Sequence, residues 1–261
     1  MLNNNVRGKG YPLLLWSGMR RFLFFINCLL IVLNTKASTL SRKSGDSLRD
    51  ISISVKAVFG ERDLLLDESE YVLDSFDTIQ VEHFKLYISS VELVYSNGKV
   101  YKEKASYHLI NAEEPSSMHF NIKGVPRGSV VAIRFNIGVD SLMSVSGAMA
   151  GDLDPRWGMY WAWNSGYINA KLEGACSTCK GNHHRFEYHI GGYSGKENAL
   201  RKVSLPLTLL INKSNHITLI ADVATWLRGM HISDNCSIMI PGAAAMKMAS
   251  QYAKMFRVVS Q

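Results

Sequence analysis

The chain has 261 residues, of which 47% are hydrophobic and 20% charged. This composition is typical of a folded protein of one large or two small domains and argues against a disordered chain. The formal charge is +7, but residues 1–37 hold five of the 29 basic residues and none of the 22 acidic ones, so the remainder carries 24 − 22 = +2. A surplus this small, with no Lys/Arg run among aromatic residues, argues against a nucleic-acid-binding protein.

The first 37 residues have the organisation of a secretory signal peptide. Four basic residues precede an apolar run at 22–33, and small residues follow at 37–38. This pattern is typical of a cleaved signal, whereas a membrane-spanning helix needs about 20 apolar residues. We therefore expect the protein to be exported to the periplasm or the extracellular space, with no stable membrane span after removal of 1–37. An uncleaved anchor is the alternative.

Residues 38–50 are polar and predict a linker before a single folded domain at 51–261. Alternation of apolar and polar residues predicts the following strands: 51–59, 81–94, 100–101, 107–110, 129–138, 166–173, 185–190, 203–210 and 216–221. Within 81–94 the alternation slips by one residue at Ser89-Ser90, which predicts a β-bulge. The Asn97-Gly98 pair that follows predicts a hairpin turn.

Helical periodicity occurs in only two segments. One is short, at 221–229, and ends at Gly229. The other, at 243–258, places Met246, Ala249, Ala253 and Phe256 on one stripe. Eight or nine strands with few helices between them predict an all-β protein. We expect an antiparallel β-sandwich with a short C-terminal helix that packs through Met246, Ala249 and Phe256.

A segment rich in aromatic side chains lies between two predicted strands. Trp157, Trp161 and Trp163 fall within seven positions, and only one other tryptophan follows residue 37. Because indole rings dominate cores and interfaces, this segment predicts either a structural plug at the end of the sandwich or a binding site.

Asp152 and Asp154 precede a proline, which predicts a turn and argues against a calcium-binding or catalytic carboxylate pair.

Cysteine and histidine residues follow the aromatic segment. Cys176 and Cys179 have C-x-x-C spacing, and Cys236 is the third cysteine left after removal of the signal. Disulfides form in exported proteins, so we favour a local Cys176–Cys179 disulfide over a zinc or copper site. His183 and His184 are close by, but adjacent residues of an extended segment point to opposite faces, so they need a turn to bind one ion.

His189 lies in the predicted strand 185–190, on the face that also carries Glu187. A single histidine in a strand usually has a structural role. We expect His189 to be a metal ligand only if the aromatic segment lies beside it.

The chain has no Gly-x-Ser-x-Gly, P-loop, dinucleotide-binding or His-Glu-x-x-His motif. We therefore predict that the protein is not an enzyme.

Several of these segments together resemble the MbnP-like family of exported proteins, which is named for a partner of the copper-chelating peptide methanobactin. The resemblance rests on Gly-Met-Tyr-Trp-Ala-Trp-Asn-Ser-Gly-Tyr at 158–167, Lys-Leu-Glu-Gly at 171–174 and Tyr-His-Ile-Gly-Gly at 188–192. Phe-Lys-Leu-Tyr-Ile-Ser at 84–89 and Asn-Ile-Gly-Val-Asp at 136–140 agree with it. It covers about residues 51–258.

The resemblance implies an all-β copper-binding protein that stores or transfers copper or acts as a redox partner. In such relatives the ion is held by histidines and by a kynurenine, which a di-haem peroxidase-type partner makes from a tryptophan. Carried over to this sequence, His189 is the implied ligand and Trp161 or Trp163 the position of the oxidised ring. Imidazole nitrogen is a suitable copper ligand, and surrounding aromatic rings exclude water from the ion.

The second histidine ligand stays open at this stage. Ser89 stands where some relatives carry a histidine, and the alternatives are His83, His183 and His184. Two hypotheses follow. The first is an exported copper-binding protein, and the second is a structural or interaction module that binds a protein or glycan through its Trp/Tyr cluster.

Overall fold

The structure is a computed structural model that describes residues 48–73, 77–164, 166–180 and 184–259. The predicted signal peptide 1–37 and most of the predicted linker 38–50 lie outside these residues. The first strand begins at Arg49, two residues earlier than expected. No helix in the described part of the chain is long and apolar enough to cross a membrane.

Most of the regular structure consists of strands. In chain order they are β1 (Arg49–Phe59), β2 (Arg62–Asp63), β3 (Glu70–Val72), β4 (Thr78–Tyr95), β5 (Val100–Lys102), β6 (Tyr107–Asn111), β7 (His119–Val125), β8 (Gly128–Ile137), β9 (Tyr160–Trp161), β10 (Gly166–Cys176), β11 (Arg185–Gly191), β12 (Arg201–Ile211), β13 (His216–Asp222), β14 (Ser237–Ile238) and β15 (Phe256–Val258). The α-helices in the same residues are α1 (Ser141–Val145), α2 (Val223–Leu227) and α3 (Ala243–Tyr252).

The strands form two sheets, which confirms an all-β protein. The smaller sheet has the order β15-β13-β1-β2, with β7 also paired to β1. The larger sheet has the order β12-β8-β4-β10-β11-β14, with β3, β5 and β6 also paired to β4 and β9 to β10. One continuous buried cluster includes residues of both sheets, among them Ile53 of β1 and Phe84 of β4, so the core lies between the sheets. Full burial of such a side chain contributes about 1.5–3 kcal/mol.

The expectation of a purely antiparallel sandwich was wrong. β1 pairs with β13 in parallel, from Ser52 opposite His216 to Val58 opposite Asp222, and β11 pairs with β14 in parallel. Both sheets are therefore mixed. Alternation along a strand specifies its buried face, but it carries no information about the direction of a neighbour that is more than 150 residues away in the chain.

The strand count was also too low. Each predicted strand is present, but the described residues contain further short strands and one of seven residues, β7. Strands of two or three residues, such as β2, β9 and β14, are too short to show alternation. In β7 the pattern is interrupted by Gly124, whose φ of 70° lies in the left-handed region.

Two local predictions in β4 and β5 were confirmed. Ser90 has φ 53°, and the register of β4 against β8 shifts between Ser89 and Glu92, as a bulge requires. The backbone N–H of Tyr95 donates to the carbonyl of Lys99 at 2.9 Å, and Gly98 has φ 81°, so Asn97-Gly98 forms the turn of the β4–β5 hairpin.

The C-terminal helix is shorter than expected. α3 ends at Tyr252, and Phe256 belongs to β15, which pairs antiparallel with β13. The buried stripe of α3 is Ala245, Met248, Ala249 and Tyr252. Ala249 of the predicted stripe is therefore confirmed, whereas Met246 is only partly buried and Phe256 lies outside the helix. Phe256 is buried through the sheet, and its apolar character alone could not distinguish a strand from a fourth helical turn.

The predicted Cys176–Cys179 disulfide was also wrong, because Cys179 is bonded to Cys236, 57 positions later. Cys176 is a buried free thiol at the end of β10. Its sulfur lies 3.3 Å from Thr178 Oγ1 and faces Asp77. The partner of Cys179 comes from the segment before β14, which folds back beside β11 through a non-local contact that the C-x-x-C spacing does not encode.

We expect Gly174→Ala to lower the free energy of unfolding by about 3 kcal/mol. A Cβ at Gly174 would lie 1.9 Å from the backbone oxygen of Gln80 on β4, and neither backbone can move without breaking the sheet. The matched control is Gly60→Ala, where nothing lies within 4 Å of the added Cβ and the φ of 63° alone costs about 1 kcal/mol. Equal losses in urea unfolding of the two variants would contradict this account.

Candidate metal centre

The centre of the larger sheet carries a polar cluster on the face that points away from the core. On β10, Leu172 and Gly174 are buried between the sheets, so Lys171 and Glu173 point outwards. Across the sheet, Lys171 lies opposite His189 of β11 and Lys85 of β4. Glu173 lies opposite Glu187 and His83 in the same way. We use the name outer polar cluster for these residues together with Glu113, which follows β6: His83, Lys85, Glu113, Lys171, Glu173, Glu187 and His189.

Glu173 is the centre of this cluster. Its Oε1 is hydrogen-bonded to Nε2 of His189 and lies 3.4 Å from Nζ of Lys171. Its Oε2 lies 3.8 Å from Nε2 of His83. Two imidazole rings on different strands therefore approach the two oxygens of one carboxylate, each with its Nε2 atom.

A second carboxylate completes the network. Glu113 contacts Nδ1 of His83 through Oε1, and its Oε2 lies 2.6 Å from Nζ of Lys85. Two carboxylates and two ammonium groups thus balance one another around the histidines. The cluster is most accessible to solvent at His83, whose side chain is 41% exposed. The side chain of His189 is only 11% exposed.

The electrostatics favour an ionised Glu173. The hydrogen bond from His189 is the main cause that lowers the pKa of Glu173 from 4.5 to about 2, and the positive charge of Lys171 adds to it against the opposing effect of burial. Burial lowers the pKa of Lys85, and the nearby charge of Lys171 lowers it further. At neutral pH the cluster therefore presents an ionised carboxylate between the rings of His83 and His189.

The aromatic segment covers the same face of the sheet beside His189. The ring of Trp161 fills the space over Gly191, where an added Cβ would lie 2.7 Å from ring atom Cζ3. Because alternate residues of a strand share a face, Gly191 and His189 are neighbours on the outer face of β11. Trp161 is 5% exposed, and Trp163 packs on it with ring centroids 5.5 Å apart while remaining 64% exposed.

Local structure explains how the aromatic segment reaches this position. Short 3-10 turns occupy Gly151–Leu153 and Pro155–Trp157, and Gly158 adopts φ 69° before β9. β9 then pairs with β10 through Trp161 opposite Gly166. The segment packs in a second buried cluster on the outer face, whose members include Tyr87, Leu109, Met159, Trp161 and Tyr167.

The two aspartates of this segment have structural contacts, in line with the turn prediction. Asp154 Oδ1 accepts the backbone N–H of Arg156 at 2.9 Å. Asp152 Oδ2 accepts the backbone N–H of Leu109 at 3.0 Å and so ties the segment to β6.

The remaining candidate ligands lie elsewhere. His184 immediately precedes β11, is exposed and has φ 61°. It lies five positions before His189, a distance of about 17 Å along an extended chain at 3.3 Å per residue. His183 lies outside the described residues. Ser89 is fully buried and donates to the carbonyl of Gly138 at 2.6 Å.

Sequence reasoning missed Glu173 and Glu113. Glu173 is in the Lys-Leu-Glu-Gly run at 171–174, and its alternation with the buried Leu172 was the signal that could have placed it on the outer face. Its contact with both histidines depends on the register of three strands, which the sequence pattern does not give. Among the described residues, no group of three or more His, Cys, Asp or Glu side chains is arranged to hold a metal ion.

The fold and site together define a two-sheet β protein with a His–Glu–His arrangement beside a tryptophan pair. The sequence profile of the MbnP family matches residues 49–243, so the chain belongs to that family. Among solved structures, it is similar to MbnP from Methylosinus trichosporium, with a TM-score of 0.59 and 14% identity over 81% of this chain and 98% of that one. At this identity the likeness shows the fold alone. Comparison with curated proteins gives no match.

We expect Glu173 to contribute stability to the metal-free protein that is lost in acid. Because its folded-state pKa of about 2 lies below the ordinary value of 4.5, the contribution is present above about pH 4.5 and disappears as the pH falls towards 2. Between about pH 5 and pH 3, urea unfolding of the wild type should therefore lose more stability than that of Glu173→Gln. The exposed Glu68→Gln is the control and should follow the wild type, whereas identical pH profiles for wild type and Glu173→Gln would contradict the assignment.

Proposed function

We propose that this chain is an exported, non-catalytic copper-binding protein whose site lies between His83 and His189 on the outer face of β4, β10 and β11. The observation that carries the proposal is the convergence of both Nε2 atoms on Glu173, beside Trp161. Membership of the MbnP family supports a role connected with copper and methanobactin. Storage, transfer and a redox partnership are the roles such a site can serve.

The donor set suits copper. Imidazole nitrogen binds both common oxidation states, and a carboxylate can add an oxygen ligand or a balancing charge. Since the ammonium groups of Lys85 and Lys171 already offset Glu113 and Glu173, an ion that takes Glu173 as a partner releases Lys171 and His189 from it. Metal binding would therefore replace existing polar contacts between side chains with metal contacts, without a change in the pairing of the strands.

His83 is the second histidine that the geometry favours. It faces Glu173 from the neighbouring strand, while His184 lies just before β11, at the far end from His189. The exposure of the His83 ring also gives an ion a path into the cluster.

Trp161 is the better of the two candidates for an oxidised ring at the metal. Its ring lies against Gly191, two residues from His189, and is almost completely buried. Trp163 lies on the solvent side of Trp161, where an oxidising partner of the di-haem peroxidase type would meet the pair first. A kynurenine at Trp161 would add an aromatic amine next to the histidines.

One observation favours the alternative interaction module. Trp163 and Ile240 are each more than 60% exposed, and they line one groove together with Tyr193 and Pro241. Exposed apolar side chains that line a common groove are typical of a contact surface for another protein or a glycan.

We expect protein purified from an exporting host to contain about one equivalent of copper, and His189→Ala and His83→Ala each to lose it. His184→Ala is the matched control, because it removes an imidazole of the same strand region outside the site, and it should retain copper. The measurement is metal analysis together with Cu(I) titration of the chelator-treated chain, with thermal unfolding to show that each variant is folded.

Peptide mapping by mass spectrometry tests the tryptophan assignment on the same samples. A small positive mass shift on Trp161, absent in Trp161→Phe, is the expected result. Copper that is retained in both histidine variants would refute the site. Unmodified tryptophans together with no binding of Cu(I) or Cu(II) would favour the interaction module instead.

A further inference from the structure

A second group of reactive side chains lies at the end of β10, away from the outer polar cluster. It consists of the free thiol of Cys176, the Cys179–Cys236 disulfide and the carboxylate of Asp77. Cys176 and Cys179 are 1% and 0% exposed, and Asp77 is 2% exposed. A free thiol, a disulfide and a buried carboxylate in one place are the components of a thiol–disulfide exchange reaction.

Contacts around Asp77 join the thiol to the disulfide. Its Oδ1 lies 3.8 Å from Cys176 Sγ and is hydrogen-bonded to the hydroxyl of Thr178. Its Oδ2 accepts the backbone N–H of Ile232 at 3.3 Å, and the carbonyl of Ile232 lies 3.3 Å from Cys236 Sγ. The free sulfur and one disulfide sulfur are therefore connected through a single carboxylate and a single residue.

The backbone brings Cys179, the other half of the disulfide, close to Cys176. The N–H of Cys179 donates to the carbonyl of Cys176 at 3.3 Å, so the two cysteines are the ends of a tight turn after β10. Two residues between cysteines is the spacing at which neighbouring thiols of redox proteins form a disulfide. Cys179 therefore has two potential partners, Cys176 beside it in the chain and Cys236 from the segment before β14.

We infer that the Cys179–Cys236 disulfide exchanges within the molecule to a Cys176–Cys179 disulfide. Asp77 accepts the proton of the Cys176 thiol, the Cys176 thiolate attacks Sγ of Cys179, and the bond between Cys179 and Cys236 breaks. Cys236 leaves with the electron pair of that bond and takes up the proton. The reaction starts and ends with one disulfide and one thiol, so it needs no external oxidant or reductant.

The exchange changes the attachment of an edge of the larger sheet. Before it, Cys236 holds β14 covalently to the end of β10, and its carbonyl accepts the N–H of Glu187 on β11 at 2.8 Å. After it, β14 is held by non-covalent contacts alone, of which the Tyr188 hydroxyl bond to the carbonyl of Asn235 is one. The released segment continues into the exposed Met239 and Ile240, which adjoin the groove beside Trp163. The pairing of the three cysteines thus decides whether the segment that carries β14, Met239 and Ile240 is covalently attached beside the groove at Trp163.

Alkylation of the folded full-length chain with iodoacetamide, without reductant, tests the exchange. Alkylation removes the Cys236 thiol whenever it forms, so the Cys176–Cys179 product accumulates. Trypsin separates the two states, because Cys176 and Cys179 share the peptide 172–180 and Cys236 lies in 229–247. The expected result is an internal disulfide in 172–180 with the label on Cys236.

Cys176→Ser is the matched control, since its hydroxyl preserves a donor to Asp77 and Thr178, and it should lose all labelling of Cys236. Asp77→Asn should slow the labelling by roughly 100-fold if the carboxylate acts as the base. Low urea concentrations should not accelerate the labelling of the wild type, because the reaction belongs to the folded state. A label on Cys176 alone with Cys179–Cys236 intact, or equal labelling of Cys236 in Cys176→Ser, would overturn the inference.

Discussion

The close approach of β10 to β4 at Gly174 is the constraint on which the rest of the structure depends. The backbone oxygen of Gln80 occupies the place of a side chain at this position, so the observed register of β10 against β4 requires a glycine there. That register shifts between Glu173 and Gly174 and puts Glu173 opposite His83. The same strand pairs on its other edge with β11 and brings His189 to the same carboxylate. The close approach at Gly174 is thus compatible with the register that brings these charged groups together on the outer face.

Local features of the fold could be predicted from the sequence, and long-range ones could not. The slip at Ser89-Ser90 and the Asn97-Gly98 turn were confirmed because each is decided by a few consecutive residues. The parallel pairing of β1 with β13 and the bond between Cys179 and Cys236 join segments that are far apart in the chain. Hydrophobic alternation and cysteine spacing contain no information about such pairings.

In the candidate site, too, the local features could be predicted from the sequence and the long-range contacts could not. Alternation placed His189 on the face opposite Tyr188, and the density of tryptophan alone distinguishes the aromatic segment from the rest of the chain. The contacts of His189 with Glu173, and of Glu173 with His83, follow from the register of three strands that are not consecutive in sequence. For this reason the sequence left His83, His183 and His184 open as candidates, whereas the fold places His184 most of the length of β11 away from His189.

Gly191 has no functional group, yet it lets the ring of Trp161 lie on the sheet two residues from His189. The indole of Trp161 lies directly on the backbone at this position because no side chain holds it away. Any larger residue would clash with both the ring and the backbone oxygen of Tyr167, and displacement of the ring would admit solvent beside His189. The interaction between two charges falls in proportion to the local dielectric constant, which water raises severalfold. The absence of a side chain at Gly191 therefore favours a strong interaction between His189 and Glu173 on the covered side of the cluster.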